Sequence, residues 1–92
     1  MDLAETLSDP SVQARLHETA FNYVNNKHGK VTLETCLLSI LDKNIPEDDV
    51  IPVGIVCICL INKHSGVFDE MKEGLSRKMK QSIIDTISEK LS

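Results

Sequence analysis

The twelve residues Val50–Ile61, reading VIPVGIVCICLI, decide the fold of this chain. No charged or amide side chain interrupts them, and no other stretch is as continuously apolar. Apolar surface gains about 25 cal/mol per Å² on leaving water, so this run belongs at the centre of the fold. As a helix it rises only about 18 Å, against about 30 Å for a bilayer core, which is too short to span a membrane. It is also internal, unlike a secretory signal. Its valines, isoleucines and cysteines favour a strand by propensity, and unbroken apolarity alone does not separate a buried strand from a buried helix. The flanks point to helix. With Asp49 as N-cap, Pro52 falls at the third helical position, where its missing N–H costs nothing. Lys63 and His64 fall in the last turn, where positive charge meets the helix dipole, and Gly66 is placed to end it. Gly54 weakens the helix by about 1 kcal/mol.

Working upstream, Pro46 pushes Ile45 out of the helical region and closes the preceding helix near Lys43-Asn44. That helix opens at Thr32 with Glu34 in its first turn. Leu33, Cys36, Leu37, Ile40 and Leu41 form its amphipathic set, and Leu41 is expected in the core with Ile55 and Ile58. Before it, Asp9 caps and Pro10 starts a helix expected over 10–27, with Val12, Leu16, Ala20, Tyr23 and Val24 on one stripe. Lys27-His28-Gly29 ends it. Residues 2–7 read as a loose turn.

Downstream, a long last helix is expected from Gly66–Phe68 to Leu91. Its stripe is Phe68, Met71, Leu75, Met79, Ile83, Ile87 and Leu91, with Ile84 beside it. Gly74 and Ser76 mark a point where it can break. The opposite face mixes both charges, whereas a helix lying on a membrane shows a mainly basic one. Asn26-Lys27-His28-Gly29 and Asn62-Lys63-His64-Ser65-Gly66 nearly repeat, 36 residues apart. Both read as helix C-terminal signals drawn from the same small vocabulary. The fold class expected is all-α: one domain over 1–92, four helices in two αα-hairpins around a central apolar helix. Locally, Gly29–Leu41 (GKVTLETCLLSIL) resembles a stretch of the N-terminal domains of Clp-type unfoldases, where a threonine-capped leucine helix follows a His-containing turn. The likeness covers 13 of the 92 residues and implies a capped core helix, with no function attached.

Composition removes several function classes. A net charge of −4 suits binding to phosphate backbones poorly, and 14 acids interleaved with 10 bases are too dilute to mimic a nucleic acid. Phe21, Tyr23 and Phe68 are the only aromatics, too few for a base-stacking surface. Three cysteines, an odd number with two in the apolar run, read as buried thiols of a reducing compartment. With no targeting segment, cytoplasmic localisation is expected.

The constellations that carry chemistry are incomplete. Cys57 and Cys59 are two residues apart and point about 200° away from each other on a helix, so they do not share a metal. No metal or cofactor is expected. A catalytic thiol needs exposure and positive charge, and these cysteines sit on apolar faces; there is no nucleophile elbow and no phosphate-cradling glycine loop. A helix-turn-helix would have to offer its most apolar segment to DNA. The reading is therefore not an enzyme and not a nucleic-acid, membrane or small-molecule binder. It is a small interaction module, a regulator, inhibitor or adaptor that binds a partner protein through its C-terminal helix. A self-assembling structural subunit is the alternative. The last turns of that helix, with Ile84, Ile87 and Leu91, are expected to overhang the rest and form the contact with a partner or a second copy. Otherwise the helix bends at Gly74–Ser76 and covers the stripe internally, against Leu3 and Leu7.

Overall fold

The computed structural model describes residues 5–6, 9–71 and 74–91. Of these, 86% are helical, and there is no strand among them. Five helices follow one another: α1 Pro10–His28, α2 Leu33–Leu41, α3 Glu47–Lys63, α4 Ser65–Met71 and α5 Leu75–Leu91. The central apolar run is helical, as its flanks imply. Among the described residues no single helix is long and apolar enough to cross a membrane.

The starts and stops follow local chemistry. Asp9 accepts from the Ser11 backbone N–H at 2.9 Å, and Pro10 stands at the first position of α1. Gly29, at φ 76°, ends α1 in the left-handed conformation that glycine adopts without penalty. Thr32 and Thr35 form a reciprocal cap on α2, each side chain accepting from the other's backbone N–H. The start of α3 differs from expectation. It begins at Glu47, so Asp49 is not its cap and Pro52 lies inside the helix. Glu47, Asp48 and Asp49 together occupy the positive end of the helix dipole, which favours the earlier start. Gly66 does not stop α3 either. His64 ends it, and the chain re-enters helix at once as α4, bent by 67°.

α3 is the axis of the fold. Val53, Val56, Cys57, Ile58 and Ile61 are all 0% exposed, and every other helix packs against α3. α1 spends its packing on α3 in preference to α2. It lies antiparallel to α3, pinned near both ends. At one end Asn62 donates to Gln13 Oε1 at 3.0 Å and accepts from Lys80 Nζ of α5 at 2.6 Å. At the other, Tyr23 and Lys27 reach Asp49.

The last helix does not run continuously from Phe68 to Leu91. Gly74 takes φ 73° just before α5, and Lys78 N–H donates to the Gly74 carbonyl as the first bond of α5. Asp69 receives both the backbone N–H and the hydroxyl of Ser76, fastening α4 to the start of α5. The break lets α5 lie along α3. The expected overhang is accordingly absent: Ile83, Ile84 and Ile87 are 4%, 3% and 0% exposed, inside the core of this one chain. Leu91 is half-buried at the core's edge. Leu3 and Leu7 lie outside the described residues. Leu41, expected in the core, is 64% exposed, because α2 buries Cys36 and Ile40 and turns the next position outward.

Candidate functional site

Among the described residues several places carry polar, nucleophilic or exposed apolar groups that the core does not absorb, Val67 and Met71 of α4 included, and three of them bear on function. The first is the Asp49 cluster. The Asp49 side chain is 1% exposed and sits where the end of α1 crosses the start of α3. Its Oδ1 accepts from the Tyr23 hydroxyl at 2.6 Å and from Lys27 Nζ at 2.8 Å, and His28 Nε2 stands 3.5 Å from Oδ2. Burial works against its charge, yet the hydrogen bonds from Lys27 and Tyr23 prevail and hold the carboxyl below its usual range. Tyr23 and Lys27 are both pushed up by their bonds to Asp49, which keeps each protonated as a donor. Each group is thereby held to its neighbours in a tie between two helices.

The thiols are the second. Cys36 and Cys57 are 2% and 0% exposed, and all three cysteines are free. The hydrogen bond to Cys36, with burial, pushes the Cys57 thiol far up, and burial alone raises Cys59. None is the exposed, cation-flanked thiolate that nucleophilic chemistry requires. Among the described residues no group of three His, Cys, Asp or Glu side chains is placed to hold a metal ion.

The third is an apolar face between α2 and α5. Leu41 stands on it at 64% exposure, and Leu38, 66% exposed, lies one helical turn earlier on α2. Beside them runs a shallow groove of about 250 Å³ with Leu37, Ile40, Met79 and Ile83 in its walls and Lys78, Ser82 and Thr86 along one bank. Its polar groups are confined to the α5 bank, while α2 offers hydrocarbon throughout. Single exposed leucines are ordinary on a protein surface; two on one stripe beside an apolar groove are not.

Of the residues expected to make the partner contact, Ile84 and Ile87 are committed to the core, and Leu91 lies at its margin beside Lys43, Ile45 and Lys90. The structure does not bring the three together on an outer surface. α5 does reach the apolar face, through Met79, Ser82 and Thr86, positions that the stripe reading passed over or counted as core. Leu38 is the residue the spacing missed. A signal was present in the sequence: Leu37-Leu38 and Ile40-Leu41 are adjacent apolar pairs, and neighbours about 100° apart on a nine-residue helix cannot all face one core.

No protein-family model matches this sequence, and no curated protein or solved structure matches it.

Proposed function

We propose that this protein is a small interaction module, a regulator, inhibitor or adaptor, that works by holding another polypeptide against the face between α2 and α5. The observation that carries the reading is the exposure of Leu38 and Leu41, 66% and 64%, one turn apart on a helix that walls an apolar groove. An amphipathic helix laid in a groove, with apolar anchors at one-turn spacing, is the recognition mode this shape suits. The lysine and hydroxyl groups on the α5 bank would give such a segment its orientation. The C-terminal helix keeps a part in the contact, by its Met79–Thr86 flank in place of Ile84, Ile87 and Leu91. Free thiols that are buried or half-buried favour a reducing compartment such as the cytoplasm as the place of work.

The test is a matched pair of baits, the wild-type chain and Leu38→Asp with Leu41→Asp, offered native lysate and a differently tagged copy of the chain itself. Proteins held by the wild type and lost by the variant, at unchanged melting temperature, are the expected result. Identical recovery by both baits would remove this face from the function.

A further inference from the structure

We infer that the segment covering the groove between α2 and α5 is a second copy of this chain, each α2 lying across the other copy's α5 about a two-fold axis. This rests on the reading of that face as a protein-binding surface and names its partner.

The reason is that the face carries both halves of its own complement. On α2, Leu38 and Leu41 stand out from the surface, and Glu34 lies on the same stripe, four residues before Leu38. On α5, Met79 lines the groove and Lys78 stands on its bank. The two helices run in the same direction, because Lys90 Nζ near the end of α5 donates to the Asp42 carbonyl just past the end of α2, at 3.0 Å. Glu34 and Lys78 therefore lie toward the same end of the groove, on opposite banks. A two-fold axis parallel to the helices, lying above the face over the midline between them, carries α2 of one copy over α5 of the other. That operation seats the raised leucines over the groove and sets each acid opposite a lysine, twice.

Such a contact is isologous and closes on itself, so it stops at two chains. The net charge of −4 opposes association only weakly, since at physiological salt the Debye length is about 8 Å and the local pairs act inside it. α2 is only nine residues, about 13 Å long, which places the contact among the small, reversible interfaces.

Sedimentation velocity with light scattering on the full chain, from micromolar to millimolar concentration, tests this. The mass should climb from the 10.2 kDa of one chain toward twice that value. Leu38→Asp with Leu41→Asp should hold one chain at every concentration, with circular dichroism and melting temperature unchanged. Glu34→Lys or Lys78→Glu alone should move the association midpoint about three- to tenfold higher, and the two together should bring it back. If the leucine variant unfolds, the charge exchange decides alone. A wild-type chain that stays monomeric at millimolar concentration overturns the second copy. Should the leucine variant then still lose a protein that the wild type captures, the face remains a binding surface with another occupant. A dimer indifferent to all these changes uses a different surface and also overturns the inference; capture indifferent to them removes the face from the proposed function as well.

Discussion

Ile87 rests directly on the backbone of Gly54: a β-carbon at Gly54 would overlap Ile87 Cδ1 and stand 2.9 Å from Ile87 Cγ1. This is where α5 crosses α3. The sequence-level objection to a glycine in the central helix, about 1 kcal/mol of helix propensity, is outweighed by what its missing side chain admits. Gly54→Ala should therefore destabilise the protein by about 1–3 kcal/mol despite alanine's better propensity, measured as a shift in chemical-denaturation midpoint. Adding Ile87→Ala, which vacates the space, should return part of that loss. A stabilised Gly54→Ala would mean α5 does not sit on α3 as described.

Ile58 and Leu41 make a contrasting pair. Ile58 is 0% exposed, and Ile58→Ala should cost about 2–5 kcal/mol, enough to unfold a marginal domain. Leu41 is 64% exposed, and Leu41→Ala should stay within about 0.5 kcal/mol of wild type in the monomer. Comparable losses from the two would place Leu41 back in the core.

Asp49 links stability to acidity. Its folded-state carboxyl titrates below the ordinary range, so in acid the unfolded chain binds the extra proton first. The stability it contributes is fully present above the ordinary carboxylate value of about 3.9 and is lost as pH falls toward the depressed folded value. Asp49→Asn should lower stability at neutral pH by about 1–3 kcal/mol and flatten this part of the acid limb. Lys27→Met should be more damaging than Asp49→Asn, because it leaves a buried carboxylate with less compensation, whereas removing the carboxylate leaves a lysine that water can solvate. Denaturation curves on the three proteins from pH 2 to pH 7 give the order; an unchanged acid limb in Asp49→Asn would count against the assignment.

The thiols should separate by accessibility. Cys59, half-buried, should react first with a thiol reagent under native conditions, and Cys36 and Cys57 only at the rate of unfolding. Mass spectrometry of the native time course checks the order, and early modification of Cys57 would show that the core opens at α3.

The parts of this fold that were legible in the sequence are those with local causes. Asp9-Pro10, Thr32 and the Lys27-His28-Gly29 stop each act within a turn of the backbone, and each marks a helix end in the structure. The central run was legible because no other stretch is as continuously apolar. Asp49 shows the opposite case. Its cap-like position was plain, but its partners Tyr23 and Lys27 lie 26 and 22 residues away, and only the antiparallel crossing of α1 and α3 brings them together. That Ile84 and Ile87 lie in the core, with Leu91 at its edge, was illegible for a related reason. The break at Gly74 was visible as a glycine, but the return of α5 onto Gly54 is a tertiary event. Leu41 was apolar and periodic like a true core residue, Leu38 fell off the stripe, and nothing local tells which arc of a short helix its neighbours will cover.

Because every helix leans on α3, no part of the molecule can detach it without surrendering its own support. Backbone amides along Val53–Ile61 should then exchange with solvent deuterium only through global unfolding, and their protection reads out the stability of the whole chain. α4 buries none of its seven residues and packs least against α3, so it is the segment able to lift away alone. The hierarchy gives this small protein a fixed keel and one leaf that opens at lower cost.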